Sequence, residues 1–428
     1  MIKLKSLSNR FKKIINSLDY RAISKLSLIK GLGIISSIAI TFIVVTELEP
    51  KNVGIYFLFL AIAKVLSIVF SLGSFAAIIP TYASGNSEDE KHILSLVLSS
   101  GIWMGLVAMT MINAIFLFLP DALKIEYWYI PIASILSATM IIQNNLFHLF
   151  SIKSMLTSAT VFQEGTGRNI LILTSMLFIY QVDNDLLGLR SIFFATVFGS
   201  IVLVLIGLTR FKFSLNVFSI PREILTDYFR LSINFLPSTT LLNGTSQIFE
   251  ILINYFFGPV ALAVLGIANK VCELFLFFSH IVNLYFVRAS KLFFDDKREE
   301  LLSLYIKCIG TSFFICIILV TTYLLFFQDI VSVYLRLDEF PYSKIAIMVM
   351  LVSTIMQSIT IFSQNLLANT GMFKFIGTID AFNLLLGAVM LMLTSHYELI
   401  LLPVVVIVTV RLIRQIACFI RVFILLKH

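Results

Sequence analysis

Charge is scarce in this chain. Its 428 residues are 13% charged and 59% hydrophobic, where soluble domains carry roughly 25% charged residues. That composition excludes a water-soluble globular fold and makes lipid the expected solvent. Cysteine is scarce too. Cys272, Cys308, Cys316 and Cys418 stand apart in apolar stretches, without the spacing of a disulfide framework or a thiolate metal site, and read as packing residues. The five histidines, His92, His148, His280, His396 and His428, also lack metal-ligand spacing, so no metal or cofactor is expected. No GxxxxGK[ST] phosphate loop and no large hydrophilic domain are present. Any work the protein does must therefore draw on an ion gradient, the membrane potential or substrate supply and removal rather than on bound ATP. Residues 1–25 are basic and amphipathic but contain no compact apolar core before a small-residue cleavage site. They read as an interfacial cytoplasmic helix, segment 1–26, rather than a cleaved signal.

What is abundant is long apolar sequence. About twelve hydrophobic runs have the ~20 residues that a bilayer crossing needs: 27–46, 53–79, 93–119, 127–150, 157–180, 187–209, 231–257, 262–287, 304–327, 343–366, 374–394 and 399–421. Lys and Arg concentrate in alternate connecting segments. By the positive-inside rule this puts both termini in the cytoplasm, although the acidic connection "SGNSEDEKH" fits that pattern poorly. The longest hydrophilic break, 210–230, reads as a cytoplasmic linker between a first bundle, 27–209, and a second, 231–428.

The two halves resemble each other. "AKVLSIVF" from Ala63 aligns with "NKVCELFL" from Asn269, placing Lys64 over Lys270 at an offset of about 206 residues. At that offset Tyr82–Ser84 falls over Arg288–Ser290, and Ile93–Leu96 falls close to register with Leu301–Leu304. The expected architecture is all-α: a polytopic membrane protein of about twelve transmembrane helices in two duplicated six-helix bundles around a central cavity.

Charged and polar residues inside the runs outline that cavity. A charge at the bilayer centre costs roughly 2.5–3.5 kcal/mol on insertion scales, so Lys64 and Lys270 are expected to face an interior, snorkelling or a local ion pair being the plainer explanation. Polar residues recur at helical spacing as Lys64, Ser67, Ser71 and Ser74, as Thr239, Asn243, Ser246 and Glu250, and as Ser353, Gln357, Thr360 and Gln364. Each stripe fits a cavity wall, and also fits interhelical hydrogen bonding. Thr157, Thr160, Glu164 and Arg168 form a fourth, in which Glu164 and Arg168 can meet at i, i+4 as a structural pair or an ion-coupling site. Arg411 and Arg414 enter the last run, while Arg421 reads as an anchor. Asn243-Gly244-Thr245 matches a glycosylation sequon but lies within a run, where it reads better as a cavity polar group.

Basic groups thus outnumber the acids Glu164, Glu250, Glu273 and Asp380, and the field favours an anion. The expected binding set is Lys64, Lys270, Arg168, Arg411, Arg414, Asn243 and Gln357, with Glu164 and Glu250 as candidate ion-coupling acids. Arg and Lys suit phosphate, and the Ser, Thr, Asn and Gln faces suit sugar hydroxyls.

Two stretches carry a family resemblance. "ELEPKNVGIYFLFLAIAKVLSIVFSLG" (Glu47 to Gly73) resembles the first loop and second helix of the polysaccharide-export flippases, with Gly54-Ile55-Tyr56 after an acidic, proline-containing turn. "INFLPSTTLLNGTSQIFEILINYFFGPVALAVLGIANKV" (Ile233 to Val271) resembles their helix 7 to 8 unit, with Pro237, Glu250 and a Gly258-Pro259 turn. The second half departs from the pattern in reading "ALAVLGIA" without the tyrosine.

The resemblance implies the multidrug/oligosaccharidyl-lipid/polysaccharide exporter superfamily and, within it, the Wzx-type O-antigen flippases of lipopolysaccharide and related surface-polysaccharide biosynthesis. It implies a non-enzymatic protein of the bacterial inner membrane that moves an undecaprenyl-diphosphate-linked oligosaccharide from the cytoplasmic to the periplasmic leaflet by alternating access. The implied partners are that lipid-linked glycan, the bilayer and the polysaccharide polymerase and chain-length machinery, with no nucleic acid. Two alternatives stand beside it, and a third, a structural or channel protein, explains the hydrophobicity but not paired basic positions in duplicated halves. One is a cation-coupled multidrug exporter of the same fold. The other is a membrane glycan polymerase or ligase, which would ordinarily need a longer periplasmic loop than 328–342.

Overall fold

The computed structural model describes residues 20–74, 77–78, 90–121, 124, 127–152, 155–163, 165–182, 188–210, 222–282, 289, 292–293, 295–370, 372–397 and 399–427. Among these there is no strand. The helices are α1 (Tyr20–Glu47), α2 (Pro50–Phe70), α3 (Glu90–Leu117), α4 (Ile130–Ile152), α5 (Leu156–Phe162), α6 (Thr166–Val182), α7 (Leu189–Arg210), α8 (Arg222–Phe275), α9 (Phe277–Val282), α10 (Arg298–Thr322), α11 (Gln328–Tyr334), α12 (Ser343–Asn369), α13 (Phe373–Thr394) and α14 (Leu402–Lys427).

Ten stretches among the described residues are long and apolar enough to cross a membrane. Eleven of the twelve expected runs map onto them, two sharing one stretch, and the run 157–180 has no counterpart among the ten. The long stretch Thr239–Phe275 holds two expected runs, because Gly258 leaves the helical region at φ 81° and Pro259 follows it. Glycine tolerates that φ and proline has no N–H to continue the ladder, so α8 divides there. The run 157–180 is also divided. α5 ends before Gln163, Gly165 takes φ 81°, and α6 restarts at Thr166 as a 17-residue helix. The expected interfacial segment falls largely, and residues 211–221 of the expected linker wholly, outside the described residues, while Arg222 to Arg230 is already helical in α8.

Large apolar side chains lie exposed around the outside, among them Phe118, Phe178, Phe198, Phe326, Leu385 and Leu393. In water such a surface would aggregate, whereas against acyl chains it is the ordinary exterior of a helical membrane protein. An aromatic group gathers where α4 and α7 begin: the Arg190 guanidinium lies 5.2 Å from the Trp128 ring centroid, and Trp128 in turn packs on Phe193. Rings with one polar neighbour and one apolar neighbour suit a membrane–water boundary.

Two helices occupy the middle. Ala261 to Ala268, immediately after the α8 break, is buried on every face, and α2 is buried through Val53, Phe57, Phe59 and Ala63. A helix apolar all round belongs in the centre of a bundle. These two helices pack against each other, the Phe57 ring against Gly266 and Gly54 against Pro259. Their far ends carry Lys64 and Lys270 into the interior.

Candidate functional site

A polar cavity of two adjoining lobes lies at those ends. One lobe, about 420 Å³, is walled by α2, α8, α12 and α14 and presents Lys64, Glu250, Lys270, Gln357, Arg411 and Arg414. The other, about 540 Å³, lies between α1, α2 and α6, is called the first lobe because it adjoins the first helices, and presents Lys30, Thr41, Tyr56, Thr166, Arg168 and Asn169; the 420 Å³ lobe is the second. The lobes share Arg168, Ser246, Lys270, Glu273 and Gln357, which therefore line their junction.

Of the expected binding residues, Lys64, Arg168, Lys270, Gln357, Arg411 and Arg414 all line this cavity, as does the expected coupling acid Glu250. Asn243 does not. It is exposed and lines neither lobe, although Ser246 and Glu250 of the same stripe do. Glu164 lies outside the described residues.

Several basic groups carry partners. Lys270 Nζ donates to Glu273 Oε2 at 2.9 Å, one turn along α8. Arg414 grips Asp380 of α13 with two contacts, Nε to Oδ1 at 2.6 Å and an Nη to Oδ2 at 3.2 Å. The Nη contact is a hydrogen bond, while the Nε–Oδ1 approach is an ion-pair contact without hydrogen-bond geometry. Arg411 donates to Asn269 Oδ1 at 3.0 Å and lies within electrostatic reach of Glu250. The described lining residues number six bases, Lys30, Lys64, Arg168, Lys270, Arg411 and Arg414, against two acids, Glu250 and Glu273. Counting Asp380 behind Arg414 still leaves the lining net positive. In a low-dielectric passage that excess sets a strong attraction for anions.

The serine stripe that runs from α2 past its end at Phe70 behaves differently from its lysine. Ser67, Ser71 and Ser74 are fully buried. Ser67 Oγ donates to the Lys64 carbonyl and Ser71 Oγ to the Ile68 carbonyl, each at 2.7 Å. They belong to a close helix seam, where small residues let backbones approach. In α12, Gln357 and Gln364 face the cavity while Ser353 and Thr360 are buried.

Sequence reasoning passed over Lys30, Tyr56, Gln163, Thr166, Asn169 and Asn269, all of which line a lobe. For Gln163, Thr166 and Asn169 a signal was present: "EGTGR" places two glycines inside an apolar run, the usual mark of a break in a helix.

This arrangement defines a polytopic α-helical membrane protein with a basic internal cavity. No protein-family model matches the chain, and no curated protein sequence matches it. Solved structures do match its fold. An outward-facing multidrug resistance MATE family transporter of the MOP superfamily superposes with TM-score 0.65 at 18% identity, over 95% of each chain. An inward-facing structure of such a transporter gives 0.63 at 17%, over 94% of each. A MOP superfamily transporter from Pyrococcus furiosus, described as having a binding pocket of reverse polarity that suggests a different function, gives 0.61 at 16%, over 93% of each. The protein shares its all-helical fold with these transporters.

Proposed function

We propose that the protein is a membrane transporter that works by alternating access and carries an organic anion through the basic cavity. The observation that carries the anionic cargo is the excess of Lys and Arg over acids in the lining. The fold supports the mechanism, since MATE family transporters of this fold are known in both inward-facing and outward-facing forms. A polar head cannot cross dry hydrocarbon at useful rates, so the lined passage is the working device.

Two cargoes fit. The likeness to multidrug resistance transporters favours an exporter of small amphiphiles over a glycan flippase. The sequence resemblance to polysaccharide-export flippases, together with bases suited to phosphate beside Gln357, Gln364 and Asn269, favours an undecaprenyl-diphosphate-linked oligosaccharide moved between leaflets. In both, Lys64, Arg168, Lys270 and Arg411 hold the anionic group, Gln357 orients the polar body, and Glu250 offsets Arg411 or exchanges a coupling ion.

The deciding experiment is reconstitution into proteoliposomes, assayed in parallel with a prenyl-diphosphate-linked oligosaccharide, an anionic dye and a cationic dye. Movement of the lipid-linked glycan supports the flippase reading, and movement of the anionic dye alone supports the exporter reading. Movement of the cationic dye alone refutes the anionic cargo in both.

A further inference from the structure

Helix α6 begins directly against α1. A Cβ at Gly33 would lie 2.7 Å from the Thr166 Cα, so only glycine allows the two backbones to come this close, and Asn169 Nδ2 donates to the Gly33 carbonyl at 3.4 Å. Lys30 precedes Gly33 by three residues and so shares its face of α1. It is only 9% exposed and lines the first lobe with Thr166, Arg168 and Asn169. Among the described residues its ammonium group makes no ion pair or hydrogen bond. A snorkelling lysine would reach the lipid headgroups, but this one faces the cavity.

Such a buried ammonium group is costly, and together with two features around it favours an anion. The start of α6 holds the positive end of the helix dipole, and its Thr166 amide donates to the Gln163 carbonyl at 3.1 Å. Arg168, in that first turn, supplies a planar fork. Lys30 supplies a point charge from the neighbouring helix. Together they are suited to a tetrahedral oxyanion.

We propose that Lys30, Arg168 and the first turn of α6 form an anion subsite in the first lobe that takes a phosphate group. The inference rests on the anion-carrying reading of the cavity and adds to it a specific place. A cargo held in this lobe meets the subsite, and Lys270 and Gln357, which line both lobes, lie between it and the bases of the second lobe.

The test is calorimetric titration of inorganic pyrophosphate into the full chain in nanodiscs. Lys30→Gln is expected to weaken binding about tenfold, the usual scale for one charge-assisted bond, and Lys30→Arg to keep it within about threefold of the wild type. Lys30→Met, which preserves the length of the apolar stem, supplies the neutral arm if the Gln variant does not fold. Nanodiscs containing a prenyl diphosphate lipid separate the sources. Displacement of pyrophosphate by that lipid identifies a lipid headgroup, and its absence identifies free phosphate; either supports the subsite if it depends on Lys30. Unchanged binding in Lys30→Gln, with weakened binding in Lys270→Gln, overturns the subsite and leaves the anion-carrying cavity standing. No binding of pyrophosphate or the lipid to the wild type overturns both. Loss of abundance in Lys30→Gln that is repaired by adding Glu164→Gln makes Lys30 a structural partner of an acid and overturns the subsite.

Discussion

Gly54 of α2 packs directly on Pro259, so that a Cβ at Gly54 would collide with the Pro259 carbonyl oxygen. The partner atom is backbone at the α8 break, not a flexible side-chain tip, and has little room to yield. Gly54→Leu is therefore expected to overpack the seam between the two central helices and destabilise the protein by roughly 1–3 kcal/mol. Thermal unfolding of purified protein in detergent checks it; an unchanged melting temperature would mean that the two helices separate there without penalty.

Asp380 is 1% exposed and Arg414 holds it by two contacts. Removing one partner of a buried pair leaves a charge uncompensated, at about 3–5 kcal/mol, while replacing both by apolar residues is often tolerated. Because the Arg414 side chain is 25% exposed toward the cavity, Asp380→Asn is expected near the lower end of that range. Asp380→Leu combined with Arg414→Met is expected to recover most of the folded protein. Membrane abundance and denaturant midpoint report both, and a double variant worse than the single would contradict a structural role for the pair.

Lys270 and Glu273 present the opposite case. Their side chains are 30% and 45% exposed, and solvent-exposed pairs contribute roughly 0–1 kcal/mol. Glu273→Gln is therefore expected to leave stability nearly unchanged while strengthening binding of an anionic cargo severalfold, since it releases Lys270 from a competing carboxylate. A titration with pyrophosphate measures the affinity, and weaker binding in the variant would show that Glu273 itself holds the cargo or a coupling ion.

The native cysteines Cys272, Cys308, Cys316 and Cys418 are all buried, which gives a quiet background for topology labelling. A cysteine at exposed His396, between α13 and α14, is expected to react with an impermeant thiol reagent from outside the cell, and one at exposed Glu299, at the start of α10, is expected to be shielded. The reverse pattern would invert the orientation and the direction of transport.

Much of the fold was legible because bilayer thickness fixes run length: the apolar stretches reappear as helices, and Lys64 and Lys270, aligned in sequence, line one cavity. The breaks were harder to read. Hydropathy is insensitive to backbone direction, so the positive φ at Gly165 and Gly258 left only glycines as clues. Polar stripes were legible as stripes but not as to what they face. A helix seam and a cavity wall have the same period, which is why Ser67 and Ser71 bond to their own backbone while Gln357 and Gln364 line the cavity. Lys30 was obscured by its position near the end of its run, where a lysine reads as an anchor, and only the packing of Gly33 on Thr166 turns it toward the first lobe.

The most direct test of an anion-selecting cavity is transport of an anionic cargo by Lys64 and Lys270 variants reconstituted at matched abundance. Both lysines line the cavity. At each position the Arg variant is expected to retain more activity than Ala, because it keeps the charge with a different geometry. Glu is expected to fall below Ala, because it repels the cargo as well as losing the contact. The order Arg, then Ala, then Glu supports the account; equal activity of the Ala and Glu variants at both positions would contradict it, since neither lysine would then sense the charge of what passes.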